Sequence, residues 1–176
     1  MSQKESKNQI QSISLALQGL LLGVLLIYPA LLSLSIFGVR FGFVFLPVVA
    51  IYYWPRQASY SWSLICVFSL GLLYDLISAG PFGVWTLSLL ALYLVLSTGE
   101  SIKTGLMRGV LGYTLCVAFI FALVSIIGRV FVGHWPILSA LFLNAVTSIA
   151  VFPLLYWLRS IAKIVRGSSE VSGVRG

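Results

Sequence analysis

Asp75 is an acid set within strongly apolar sequence. It stands in Gly71-Leu-Leu-Tyr-Asp-Leu-Ile-Ser-Ala-Gly-Pro-Phe-Gly83, with hydrophobic runs on both sides. A carboxylate at membrane depth is costly, so such a group faces protein or water and marks a packing or functional site. Three chemistries fit it. It can be a polar anchor at an interhelical or partner interface, a proton or cation site, or an acceptor for the free backbone donors that open the next helix. On a helix, Val67, Gly71, Asp75 and Ala79 follow one another at four-residue steps with Ser78 adjacent. Small residues in that pattern let a neighbouring helix approach. Gly80 and Gly83 permit a tight turn, and Pro81 pre-sets the first turn of the helix that follows. The amides and dipole of that helix start suit an anion. Gly71, Asp75, Ser78, Gly80, Pro81 and Gly83 therefore form one candidate motif for partner binding or packing.

Other polar residues inside apolar runs are fewer and simpler. Asn144 has Ala140 and Ser148 at four-residue spacing and Thr147 beside it; Gln18 stands just before Gly19, with Gly23 following. Gln18, Asn144 and Ser148 read as interhelical hydrogen-bonding positions. Gly105, Gly109 and Gly112 mark a close-packing face. His134, the one histidine, sits beside Trp135 in a predicted loop and reads as interfacial. Cys66 and Cys116 fall mid-way through apolar runs without metal-type spacing and read as buried small hydrophobes. The chain has no G-x-S-x-G, no H-E-x-x-H and no Walker A sequence. It also lacks the paired carboxylates of a magnesium-diphosphate site. Enzyme activity is disfavoured on this inventory, and neither a cofactor nor a metal is expected.

The scaffold around these residues is a membrane scaffold. Of 176 residues 60% are hydrophobic and 9% charged, and mean hydropathy is +1.06, where soluble domains run near a quarter charged. The formal charge of +7 does not indicate nucleic-acid binding, because the basic residues gather at segment ends and no nucleic-acid motif occurs. Six apolar segments are expected at 12–36, 40–54, 58–78, 82–98, 105–128 and 136–158, against the roughly 20 residues that a spanning helix needs. The fold class is thus an all-α integral membrane protein with six transmembrane helices in a compact bundle. The expected domains are an N-terminal tail (1–11), a membrane domain (12–158) and a basic, partly disordered C-terminal tail (159–176).

Pro29 marks a kink or an end in the first segment, and Pro55 stops the second near Trp54. Pro153 frees a carbonyl near Ile149 and bends the last. The first apolar run is longer than a signal-peptide core and is expected to be retained. A five-span alternative joins 31–54 into one helix. Positive charge favours six: with the N-terminus inside, nine of the 11 Lys and Arg residues lie in inner loops or tails, and only Arg40 and Arg129 lie outside. Both termini are then cytoplasmic. Trp54, Trp62, Trp85, Trp135 and Trp157 fall near segment ends as an aromatic belt. Arg159, Lys163 and Arg166 recur at helical spacing. They fit either a short amphipathic helix on anionic lipid headgroups or ordinary positive-inside anchoring.

The stretch from Arg40 to Leu96 resembles MreD, the rod shape-determining membrane protein family of bacteria. The resemblance rests on Tyr53-Trp54-Pro55-Arg56, then the Gly71–Gly83 block, then the apolar helix ending near Tyr93. The run from Asn144 through Phe152-Pro153-Leu-Leu-Tyr-Trp-Leu-Arg159 is similar to the family's last helix. The family often places Pro after the arginine that opens the second helix, where this chain has Arg40-Phe41. The resemblance implies a non-enzymatic subunit of the cell-elongation machinery in the bacterial inner membrane. It would bind an MreC-like single-span partner and work alongside MreB, RodA and RodA's transpeptidase partner in lateral peptidoglycan synthesis. It also implies a fold similar to the six-helix substrate-binding subunits of vitamin transporters, and with it the alternative role of a small-molecule-binding transporter subunit.

Overall fold

The computed structural model describes residues 3–31, 33–36, 39–55, 57–78, 81–98, 106–133 and 137–172, with side chains placed for 9–31, 42–55, 57–78, 81–98, 109–131, 133 and 137–157. The chain folds into α1 (Gln3–Leu31), β1 (Ser33–Ile36), β2 (Val39–Gly42), α2 (Pro47–Tyr52), α3 (Tyr60–Ser78), α4 (Val84–Thr98), α5 (Leu106–Val132) and α6 (Leu138–Ser172). Among the described residues four helices are long and apolar enough to cross a membrane, over Gln9–Leu31, Tyr60–Ser78, Gly109–Phe131 and Leu138–Trp157. α4 is apolar but has 15 residues, a length of about 22 Å. These helices mark a membrane protein.

The second expected span is corrected. Residues 40–54 form neither a helix of their own nor part of one long 31–54 helix. β1 and β2 pair antiparallel, with Ser33 opposite Gly42 and Ile36 opposite Val39. A turn then leads into α2, whose six residues span about 9 Å. The local sequence explains this. Val39, Phe41, Phe43, Val44 and Phe45 favour extended backbone. Pro47 has no N–H to give and is tolerated only in a first helical turn. The end near Trp54 is as expected: Tyr53 donates to the Val49 carbonyl and Trp54 to that of Ile51 before Pro55.

Other boundaries also move. α1 ends at Leu31, two residues past Pro29, and not at 36. It begins at Gln3, so the polar residues expected as a tail join the helix. α6 runs on to Ser172, so the expected tail is helical over 159–172, and Pro153 lies inside the same helix. Thirty-five residues make a rod of about 52 Å.

The discontinuous second segment is the core of the bundle. Phe45, Leu46, Val48, Val49, Ala50, Ile51 and Trp54 are all buried, which suits a stretch apolar on every side. α2 packs against α1, α4 and α5. Two glycine notches receive it: a Cβ on Gly19 would lie 2.9 Å from the Trp54 ring, and one on Gly112 2.8 Å from the Tyr52 oxygen.

These contacts also set direction. Trp54 meets Gly19 of α1, while Leu70, well along α3, meets Gly23. Tyr60, which opens α3, and Trp54 both pack on Tyr93. α3 therefore runs in the same sense as α1, and Gly42–Trp54 carries the chain back between them. α4 reverses α3. α6 lies antiparallel to α5, since its late residues Phe152 and Tyr156 sit near Gly109 at the start of α5.

Candidate functional site

Asp75 is the centre of the site. It lies in the last turn of α3 and is 1% exposed. Its Oδ1 accepts from the Trp85 N–H at 2.9 Å. Its Oδ2 accepts from the N–H groups of Gly83 at 3.0 Å and Thr86 at 3.1 Å, and from the Thr86 hydroxyl at 2.5 Å. The local reason is the way α4 begins. Gly83 has φ +93°, in the left-handed region that glycine enters without cost, and its carbonyl takes the first helical bond, from Leu87. Gly83 is therefore the N-cap residue, and it has no side chain with which to cap. The second and third helical residues, Trp85 and Thr86, carry the amides that a cap normally satisfies. Asp75 supplies that cap from the neighbouring helix, where the dipole of α4 also favours an anion.

One turn earlier, Gly71 sets the spacing that makes this reach possible. A Cβ there would stand 2.5 Å from Thr86 Cα, so α3 and α4 cross in backbone contact. Of the three chemistries open to Asp75, the geometry is that of an acceptor for the α4 start. Each carboxylate oxygen offers about two lone-pair directions; three donors crowd Oδ2 and one meets Oδ1, and all four come from the start of α4.

A second cluster adjoins the first. The Trp85 ring packs on Tyr74 at 4.8 Å and edge-on to Phe45 at 5.8 Å. The Tyr74 hydroxyl donates to the Val44 carbonyl at 2.7 Å, and Tyr113 of α5 donates to the Phe45 carbonyl at 3.1 Å. From α6, Asn144 Oδ1 accepts the Gly42 N–H at 2.8 Å, and the Thr147 hydroxyl donates to the Gly42 carbonyl at 2.7 Å. The β1–β2 ladder ends at Gly42, and Phe43–Phe45 continues without one. Side chains of α3, α5 and α6 supply the bonds that hydrocarbon cannot.

The structure brings together Gly71, Asp75 and Gly83. Ser78 donates to the Asp75 carbonyl at 3.3 Å, and Pro81 is exposed in the turn. Gly80 lies outside the described residues, as do His134 and the side chains of Arg159, Lys163 and Arg166. Three expectations of interhelical bonding change. Asn144 reaches β2 and not another helix. Ser148 is buried but donates to the Asn144 carbonyl in its own helix at 2.8 Å, the ordinary recourse of a helical serine. Gln18 is exposed: Gly19 and Gly23 face inward against Trp54 and Leu70, and helical rotation turns Gln18 away from them.

Thr86, Tyr74 and Tyr113 belong to the site and were not singled out by sequence; Thr147 was noted only as a neighbour of Asn144, and Trp85, expected in an aromatic belt, is buried in the site. Their available signal is general, since a phenol or hydroxyl in an apolar helix seeks a partner. Cys66 and Cys116 are free and buried. Among the described residues no three His, Cys, Asp or Glu side chains gather in a group fit for a metal. Comparison with protein-family models, with curated proteins and with solved structures gives no match.

Two predictions follow from this geometry. Asp75→Ala leaves three amides and a hydroxyl unpaired in the bundle and should lower unfolding free energy in detergent by about 2–4 kcal/mol. Gly71→Val should lower it by about 1–3 kcal/mol through overpacking against backbone. Gly109→Ala, whose Cβ would meet nothing nearer than 3.8 Å, should stay near the parent. Unchanged stability of Asp75→Ala would remove the cap from the account. Separately, Tyr113→Phe should cost about 0.5–1.5 kcal/mol, the worth of one hydrogen bond, since it leaves the Phe45 carbonyl with the Val48 N–H alone. Phe43→Cys in that variant should become more reactive toward a maleimide than in the parent background.

Proposed function

We propose that this chain is a non-enzymatic membrane subunit of the bacterial cell-elongation machinery, of the MreD kind. It binds and positions an MreC-like single-span partner, in company with MreB, RodA and the transpeptidase partner of RodA. In this reading it sits in the inner membrane with both ends cytoplasmic and crosses six times, the second crossing being the discontinuous Gly42–Trp54 stretch.

The observation that carries the reading is the way Asp75 is held, by four donors that all come from the start of α4. A catalytic or transport carboxylate must exchange partners with a substrate, a proton or an ion. This one is buried and accepts four hydrogen bonds from the start of α4, and so serves as a brace. The braced corner is a surface: Phe82 at its tip is 64% exposed, and Leu76 and Leu87 beside it are exposed as well. The Gly71–Gly83 block that carries the resemblance to the family is the same block that builds this corner. A rigid apolar corner at one end of the bundle suits a partner's spanning helix or the segment next to it.

The test is co-purification with a single-span, coiled-coil partner from native membranes. Phe82→Lys, at an exposed position, should abolish recovery of the partner while leaving the bundle folded. Asp75→Lys should abolish both. Full recovery with Phe82→Lys and with Gly83→Leu would count against this corner. A vitamin-sized molecule retained in native mass spectrometry, with no protein partner, would favour the transporter role instead.

A further inference from the structure

We propose that two copies of this chain pair side by side through the outward face of α1, with the Gln18 amides of the two copies hydrogen-bonded to each other. Depth is the first argument. The middle residue of α3 is Ser69, and its neighbour Leu70 lies against Gly23 of α1. The mid-height of the bundle therefore falls near Gly23. Gln18 is five residues away, about 7.5 Å along the axis, well inside a hydrocarbon half-thickness of about 15 Å. Yet Gln18 is exposed, and its amide makes no hydrogen bond among the described residues. Lipid tails offer none, and a bare amide at that depth is costly.

The surface around it has the period of a helix seam. Gln11, Gln18 and Leu25 are seven residues apart, as are Ser14, Leu21 and Tyr28, and all six are exposed. Together they alternate in three- and four-residue steps, the spacing that two supercoiled helices present to each other. The opposite side of α1 is already committed through Ala16, Leu26, Ile27 and Ala30 to the core.

A second copy is the occupant that these observations fit. A primary amide carries both donor and acceptor, so it is complementary to itself. A two-fold axis along the membrane normal sets every residue opposite its own equivalent at the same depth. Gln18 then meets Gln18 without any further requirement on sequence, and a polar residue in an apolar seam fixes the register of the pair. This pairing does not depend on the proposed partner of the α3–α4 corner.

Single cysteines at Ser14, Gln18, Leu21 and Leu25 of the full chain would be oxidised in native membranes. Leu111→Cys and Leu115→Cys on α5, at positions that are also exposed, serve as controls. Cys66 and Cys116 are buried, and the parent protein gives their background. The α1 variants should yield an adduct of twice the chain mass, well above the α5 controls. In bilayers, energy transfer between labelled copies should show that Gln18→Leu weakens self-association roughly three- to fifteenfold, the worth of one interhelical hydrogen bond, while Gln18→Asn retains it. Cross-linking no stronger than at α5, an adduct with a different protein, or unchanged self-association in Gln18→Leu would overturn the proposal.

Discussion

A helix that starts inside a bundle exposes amide N–H groups that nothing in its own turn can satisfy, and hydrocarbon does not satisfy them either. α4 meets this difficulty in an acute form, because its N-cap is Gly83, chosen for a backbone angle of +93° and unable to contribute a side chain. Asp75 resolves it from across the helix pair. The burial of a carboxylate and the burial of bare amides are each unfavourable alone, and each removes the other's cost. The close crossing at Gly71, the turn at Pro81–Gly83 and the hydroxyl of Thr86 all serve this arrangement.

The same constraint governs the second segment. A continuous helix would have satisfied its own backbone; a hairpin followed by a six-residue helix does not. The deficit is met by Tyr74, Tyr113, Asn144 and Thr147, four side chains from three helices. Trp85 joins the two regions, since it donates its amide to Asp75 and packs its ring on Tyr74 and Phe45. The core of this molecule is thus a polar framework set within apolar packing, and the irregular backbone sits where protein surrounds it.

Much of this was legible from residue types and spacing. The bounds of α3 and α4, the close approach at Gly71 and the suitability of the α4 start for an anion follow from Gly71, Asp75, Gly80, Pro81 and Gly83 in order. The second segment was not legible. Phe41 to Trp54 carries no charge and is nearly as long as α4, and hydropathy does not separate a buried strand and turn from a buried helix. The role of Tyr113 was hidden for a related reason: its partner is a carbonyl 68 residues away, and nothing near Tyr113 in sequence announces it. The side of α1 that Gln18 takes was not legible from the glycines near it, since adjacent helical residues point about 100° apart.

The attachment of Gly42 to α6 has a consequence for how the protein is made. Gly42 finds its partners Asn144 and Thr147 only after more than a hundred further residues have been synthesised, and Phe45 must wait for Tyr113. α3 and α4 can dock as soon as Thr86 has left the ribosome. The buried second segment is therefore among the last parts to be secured, and the nascent chain must shelter it, in the insertion machinery or beside α1, until its final helix arrives.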